Sequence, residues 1–291
     1  MNVITDREPT EQLAGMATAT DNGKTGTAVV QEAFAACRSR GNKAVAPFVT
    51  AGDPDVETTL AVLEAIDRAG GTLCELGVPY SDPIADGPVI QSSYTRALAA
   101  GMSLEKLFVL VAQARQTVSM PLLAMASYSL IFRVGIDLFV SRAAASGLSG
   151  FVVPDLPLEE SDELDAACRS AGLALVRLVT PTTPPERAEA IARRSTGFLY
   201  CVSVAGVTGE RTAVPAGLID RVSWLRERTD VPILVGFGIA GPDQAREVAQ
   251  VADGVIVGSA VVRQLEQAAA GQGVAAVERF VGELVSACRG G

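Results

Sequence analysis

Apolar and polar positions follow a repeating two-part pattern along most of this chain. Short uninterrupted runs of Val, Leu, Ile and Ala are each followed by a segment in which apolar residues return every three or four positions. The first run is Ala44 to Val49, and Val56, Leu60 and Leu63 then lie on one face of the segment that follows. The pattern predicts a buried strand and then an amphipathic helix.

Turn residues separate these two parts. Asp53 is predicted to cap the first helix, with Pro54 at its first helical position, and Gly70 and Gly71 are predicted to end it. Thr183 to Glu186 has the spacing of a capping box ahead of the fifth helix.

Seven further runs continue the alternation, so that eight strands are expected. Continuous apolar runs without polar alternation indicate parallel strands that are buried on both faces, and eight βα units predict a single (β/α)8 TIM barrel. An open doubly wound sheet is the alternative. The further runs are Leu73 to Leu76, Pro121 to Met125, Gly150 to Val153, Ala174 to Val179, Phe198 to Val202, Pro232 to Val235 and Gly254 to Val257.

The start of the chain differs from the rest. Residues 1–28 are polar and small, with neither the apolar stretch of a signal peptide nor an Arg-rich amphipathic face, and they are predicted to form a disordered extension. Residues 29–291 then form one catalytic barrel domain. No apolar run is long enough to span a bilayer, and the five scattered cysteines favour reduced thiols in a cytoplasmic protein without a metal site.

The net charge of the chain limits the kinds of molecule that it is expected to bind. The chain has 33 acidic and 24 basic residues and a net charge of -9, whereas nucleic-acid binders concentrate Lys and Arg. We expect a small-molecule ligand and neither nucleic acid nor membrane.

Two acids stand out because the chain has no histidine, so that proton transfer falls to other groups. Glu75 lies near the end of a buried strand, where a carboxylate is costly unless it is paired or functional, and Asp86 lies in a loop shaped by Pro and Gly. Both are candidate acid-base residues. The alternatives are a structural buried acid for Glu75 and an ordinary turn residue for Asp86.

Glycines after the last two strands suggest a phosphate site. Gly236 and Gly238 follow strand 7, and Gly258 with Ser259 opens a helix after strand 8, where barrels often bind phosphate. The alternative is that these glycines only fit tight turns.

Other candidates lie on the same rim. The connection from Val204 to Arg211 is long enough to act as a lid, although a plain surface loop is the alternative. Phe48 and Phe237 are expected to form apolar walls, and Tyr200 either lines the site or fills the core.

Six ordered segments closely resemble the tryptophan synthase alpha subunit family across about Pro47 to Val262. They are Pro47 to Pro54, Glu75 to Pro88, Pro154 to Pro157, Gly206 to Gly209, Gly236 to Ile239 and Gly258 to Ala260.

The resemblance implies a carbon–carbon lyase of tryptophan biosynthesis that cleaves indole-3-glycerol phosphate to indole and glyceraldehyde 3-phosphate. Glu75 would move the proton at indole C3, and Asp86 would hold the indole N–H and stabilise positive charge on the ring. The implied binding residues are Phe48, Tyr200, Thr208, Gly209 and Phe237 for the substrate and Gly236, Gly238, Gly258 and Ser259 for its phosphate, with Gly209 also near the phosphate.

The family also implies a beta-subunit partner in an alpha2-beta2 complex. Asp82 and Pro83 would contact it, and pyridoxal phosphate would belong to that partner, so that this chain is expected to need no cofactor. Ser127 to Leu130 departs from the Tyr-Asn-Pro run that the family commonly has here, and the N-terminal extension is longer than usual. A stand-alone lyase, another phosphosugar-processing barrel and a non-catalytic scaffold remain alternatives.

Overall fold

Eight parallel strands close into a barrel, as the sequence predicts. The computed structural model describes residues 23–84, 86–203, 217–236 and 238–290. Each strand pairs with the next, and the first pairs with the last, which excludes the open sheet. The strands are β1 (Ala44–Thr50), β2 (Cys74–Gly77), β3 (Leu122–Met125), β4 (Gly150–Val152), β5 (Ala174–Val179), β6 (Leu199–Val202), β7 (Ile233–Gly236) and β8 (Gly254–Val257).

Twelve α-helices lie within the described ranges. One helix precedes β1, and the others follow the strands. They are α1 (Gly26–Ser39), α2 (Val56–Arg68), α3 (Pro88–Ala99), α4 (Leu104–Ala114), α5 (Tyr128–Val134), α6 (Ile136–Ser146), α7 (Asp162–Ala171), α8 (Pro185–Arg194), α9 (Leu218–Arg226), α10 (Pro242–Ala249), α11 (Ser259–Gln267) and α12 (Gly273–Ala287).

The barrel interior is a packed layer of side chains that rests on α1. Val30 and Phe34 of α1 are buried in the same cluster as Phe198 and Tyr200, and the rings of Phe34 and Phe198 meet edge to face at 5.9 Å. Since the burial of each large apolar side chain contributes about 1.5–3 kcal/mol, this contact holds α1 firmly across the amino-terminal end of the barrel. A functional site can therefore form only at the other end of the barrel, at the carboxyl ends of the strands.

The predicted cap of the first barrel helix is wrong. Asp55, not Asp53, caps α2, since its Oδ1 accepts a hydrogen bond from the backbone N–H of Thr58 at 2.6 Å. Asp53 is buried instead and receives two hydrogen bonds of 2.8 Å from the guanidinium of Arg96. Pro54 accordingly lies before the helix. Gly70 follows the helix end with φ +90°, as the sequence predicts.

The predicted capping box is also wrong. Pro184 is the N-cap residue of α8 and supplies no side-chain hydrogen bond. The hydroxyl oxygen of Thr183 accepts instead from the backbone N–H of Thr180 at 3.0 Å, which closes the preceding loop.

The helical part begins a few residues before the predicted domain boundary at residue 29. α1 begins at Gly26, where Thr25 Oγ1 accepts a hydrogen bond from the N–H of Ala28 at 3.3 Å. The N–H of Thr27 donates to the carbonyl of Gly172 at 2.9 Å, which ties this end of α1 to the barrel. Residues 1–22 lie outside the described ranges.

No single helix in the described ranges has the length and apolar composition to cross a membrane. The helices α3 and α4 pass that test only as a pair, with a bend of 98° between them.

Candidate active site

One cavity opens among the loops at the carboxyl ends of the strands and encloses about 990 Å³ including its mouth. Three carboxyl groups line this cavity, and no Lys or Arg of the described ranges does. Its lining residues are Phe48, Glu75, Tyr80, Asp86, Ile90, Tyr94, Met125, Ala126, Ser127, Val152, Pro154, Asp155, Leu178, Tyr200, Gly238, Ile239, Ile256, Gly258 and Ser259.

Glu75 is a buried acid at the base of this cavity. It lies within β2 in register with Phe48 and Leu123, and 1% of its surface is exposed. Its Oε1 has no hydrogen-bond partner in the described ranges, and no Lys or Arg there pairs with it. Burial raises its pKa to about 8. A carboxyl group held this way is poorly suited to a purely structural role and well suited to donating a proton at neutral pH.

Asp86 faces the same cavity from the loop after β2. The Gln91 side-chain amide donates to the carbonyls of Asp86 at 2.8 Å and Pro83 at 3.1 Å, so that α3 fixes the loop. Burial, and then the nearby charge of Asp155, raises the pKa of Asp86 to about 6. Asp86 is therefore mostly ionised at neutral pH, whereas Glu75 is mostly protonated.

Aromatic side chains form much of the cavity wall. A Cβ atom at Gly77 would lie 2.7 Å from Cε2 of Phe48 and 2.9 Å from the hydroxyl of Tyr94, so glycine is what lets these rings approach β2. Tyr200 both lines the cavity and belongs to the barrel core. Burial, followed by the charges of Glu75 and Asp86, raises the pKa of Tyr200 well above its ordinary value, which keeps its hydroxyl neutral.

The candidate phosphate residues divide into two groups. Gly238, Gly258 and Ser259 line the cavity, and Ser259 begins α11, whose amino-terminal end favours an anion. Gly236 does not line it. A Cβ atom there would lie 2.7 Å from Cε1 of Tyr200, so this glycine has a packing reason of its own.

The remaining candidates lie elsewhere. Asp82 is exposed and Pro83 half-buried on the outer rim, where Asp82 Oδ2 accepts a hydrogen bond of 2.7 Å from the Ser81 hydroxyl. Thr208, Gly209 and Phe237 lie outside the described ranges.

The candidate list from the sequence lacks several lining residues, notably Tyr80, Tyr94, Ser127 and Asp155. Asp155 carries a readable signal, because it is the first acid after the apolar run of β4 and so falls on the functional rim. Tyr94 has no such sequence signal, because it lies within α3 and reads as one of the buried apolar residues of that helix.

No group of three or more Cys, Asp or Glu in the described ranges is arranged to hold a metal ion. All five cysteines are free thiols.

Comparisons with known proteins agree with this arrangement. The sequence profile of the tryptophan synthase alpha chain family matches residues 34–288. The tryptophan synthase alpha chain of Rhodopirellula baltica is 51% identical over 242 residues, covering 82% of this chain and 87% of its own length. That of a Synechocystis species is 49% identical over 259 residues, covering 89% and 98%.

Solved structures show the same fold. A structure of Mycobacterium tuberculosis tryptophan synthase superposes with a TM-score of 0.83 at 34% identity, covering 90% of this chain and 98% of that one. The alpha subunit of tryptophan synthase from Legionella pneumophila gives a TM-score of 0.82 at 32% identity, with coverage of 89% and 98%. With its barrel, its two acids and its profile match over nearly the whole barrel, the chain belongs to the tryptophan synthase alpha chain family.

Proposed function

We propose that Glu75 and Asp86 perform the reaction of this family, the cleavage of indole-3-glycerol phosphate to indole and glyceraldehyde 3-phosphate. As a family member, the protein is a carbon–carbon lyase of tryptophan biosynthesis. The observation that supports the assignment is the pair of carboxyl groups in one largely apolar cavity, with pKa values of about 8 and about 6. Two acids whose environments separate their pKa values are suited to different roles in one reaction.

Glu75 is the proton carrier in this proposal. Its protonated carboxyl donates to indole C3, which turns the ring into a cation that can accept the electrons of the breaking bond. The Glu75 carboxylate then accepts the proton of the hydroxyl on the adjacent side-chain carbon, and the C–C bond breaks to give indole and the aldehyde. Glu75 ends each cycle protonated, so no other base is needed.

Asp86 is the electrostatic partner. As an ionised carboxylate it accepts a hydrogen bond from the indole N–H, and its charge stabilises the ring cation more than it stabilises the neutral substrate. An interaction that strengthens as charge develops lowers the barrel enzyme's activation barrier instead of merely tightening substrate binding.

The rest of the cavity binds the substrate. Phe48 and Tyr200 flank the indole ring, and Gly238, Gly258 and Ser259 receive the phosphate through backbone N–H groups. Backbone binding is consistent with the absence of Lys and Arg from the described lining residues. Roles for Gly236 at the phosphate, Phe237 at the ring and Thr208 and Gly209 in a lid remain predictions.

The proposed partner is a tryptophan synthase beta subunit in an alpha2-beta2 complex, and the reaction of this chain uses no cofactor, since pyridoxal phosphate belongs to beta. We place the contact at Asp82 and Pro83 and extend it to α5. Ile84 and Phe132 support this surface, because 87% and 67% of these large apolar residues are exposed there. We place the complex in the cytoplasm, where free thiols persist.

The test is indole release from indole-3-glycerol phosphate by the purified chain, with Glu75→Gln as the inactive control. Addition of a beta subunit should raise the rate by about tenfold or more, a coupling of about 1.4 kcal/mol. Asp82→Ala should remove most of that gain without changing the basal rate. Fast turnover with no response to beta would instead favour the stand-alone lyase, for which Ser129 and Leu130 would mark a lost interface. No indole release under either condition would refute the proposed function.

A further inference from the structure

Asp155 is a third acid in the cavity, and two hydrogen bonds fix its orientation. It lies just after β4, where its Oδ2 accepts from the hydroxyl of Ser127 at 2.7 Å and its Oδ1 from the backbone N–H of Tyr128 at 2.8 Å. Tyr128 is the first residue of α5, so Asp155 joins the loop after β4 to the start of that helix. Both oxygens therefore have a hydrogen-bond donor that fixes their orientation, although the residue itself is exposed.

Within the described residues, no cation compensates the charge of Asp155. No Lys or Arg in the described part of the chain forms an ion pair with it, and none lines the cavity. The titratable groups that share the cavity with Asp86 are Glu75 of β2, Tyr80 of the second loop, Tyr94 of α3, Tyr200 of β6 and Asp155 itself. The tyrosines are neutral and Glu75 is largely protonated near pH 7, so Asp155 is the other acidic group of the described lining that Asp86 faces.

We propose that Asp155 is a positioning residue that acts through Asp86: the two carboxyl groups line one cavity, no cation is among its described lining residues, and the hydrogen-bonded Asp155 makes Asp86 the stronger acceptor for the indole N–H. This inference rests on the proposed function. The N–H of a ring protonated at C3 is far more acidic than that of neutral indole, so a more basic Asp86 gains most in the cationic state.

The experiment compares Asp155→Asn with Asp155→Glu and with a matched control, Glu160→Gln. Glu160 is an exposed carboxylate a few residues further along the same loop and does not line the cavity. The readouts are the pH dependence of kcat/KM, and the pH dependence of binding of indole-3-propanol phosphate, which lacks the hydroxyl needed for cleavage, by calorimetry.

Asp155→Asn should lower kcat several-fold, at most about tenfold, and move the acid limb of both profiles down by up to about one pH unit, because one unit of pKa corresponds to a factor of ten. Asp155→Glu should restore the limb, and Glu160→Gln should leave both measurements unchanged. An acid limb that stays in place in Asp155→Asn would overturn the inference even if activity falls, because a purely structural loss does not change the pKa of Asp86. If Asp155→Asn does not fold, Asp155→Ser takes its place with the same two outcomes: a lowered acid limb supports the inference, and an unmoved limb overturns it.

Asp86→Asn separates the two proposals. Unchanged turnover in that variant would refute the assigned role of Asp86 and with it the inference. Lost turnover in Asp86→Asn, together with an unmoved limb in Asp155→Asn, would refute the inference alone.

Discussion

A Cβ atom placed on Gly236 would lie 2.7 Å from Cε1 of Tyr200, closer than unbonded carbon atoms approach. Gly236 ends β7, and Tyr200 belongs to the neighbouring strand β6, in register with Leu234. Because Gly236 has no side chain, the ring of Tyr200 can occupy this space beside Glu75.

Gly236→Ala should displace Tyr200 and destabilise the fold by about 1–3 kcal/mol, the usual cost of overpacking. In a Tyr200→Ala background the same change should cost less than about 0.5 kcal/mol, since the clash is gone. Urea unfolding of the four proteins of this double-mutant cycle checks the prediction. Additive costs would mean that Gly236 is needed for its backbone and not for Tyr200.

The pH dependence of cleavage should be bell-shaped. Ionisation of Asp86 makes kcat/KM rise with pH through about 6, and deprotonation of Glu75 makes it fall above about 8. In Asp86→Asn the acid limb should disappear while the alkaline limb stays, and the remaining kcat should be about 10²-fold lower. Steady-state kinetics between pH 5 and 9 test this, and an alkaline limb that disappears with Asp86 would reverse the assignment.

Glu75 should also make stability depend on pH. Its folded-state pKa of about 8 lies above the ordinary value of 4.5, so the native state binds the proton more tightly than the unfolded chain does. The protonated Glu75 therefore contributes fully to the free energy of unfolding below pH 4.5, and this contribution is lost as the pH rises through 8. At pH 9 the free energy of unfolding of Glu75→Gln should exceed that of the wild type by on the order of 3 kcal/mol. Near pH 4 the two values should be equal. Equal stability of the two proteins at pH 9 would show that ionised Glu75 is solvated.

Gly258 offers the cleanest test of the phosphate site. A Cβ atom there meets nothing closer than Phe48 Cβ at 3.7 Å, so there is room for a methyl group. Gly258→Ala should leave the melting temperature unchanged and raise KM for the phosphorylated substrate by about tenfold, because a methyl group crowds the anion at the helix terminus. Gly238→Val is a poorer probe, since φ +88° at Gly238 strains any side chain. A KM unchanged in Gly258→Ala would place the phosphate elsewhere.

Deletion of residues 1–22 should change neither the melting temperature nor turnover, because so polar a segment has little apolar surface to bury. Deletion through Thr25 should cost about 1 kcal/mol, the usual value of a lost helix cap. Thermal unfolding of the two truncated proteins tests both statements. A large loss from the shorter deletion would mean that the extension packs against the barrel.

Features that depend on residues close together in the sequence could be predicted, whereas features that depend on contacts between distant residues could not. The eight strands and the position of Glu75 could be predicted because buried parallel strands are uninterrupted apolar runs. The cap of α2 could not, because Asp53 and Asp55 are alike in sequence and only the distant Arg96 decides between them. Gly236 was similarly ambiguous, since its contact with Tyr200 depends on the pairing of β6 and β7. Asp155 was recognisable as a rim residue, but its bonds to Ser127 and Tyr128 join loops 28 and 27 residues apart.

Val30 and Phe34 of α1 close the amino-terminal end of the barrel, and this closure also affects how substrate and products reach and leave the cavity. In the described structure the packed side chains of this cluster close the amino-terminal end of the barrel, so substrate and products should pass through the loop rim. In the proposed function, Gly258 and Ser259 hold the phosphate of the aldehyde, and indole forms beside Glu75. Both products should therefore leave by the same route through which the substrate enters.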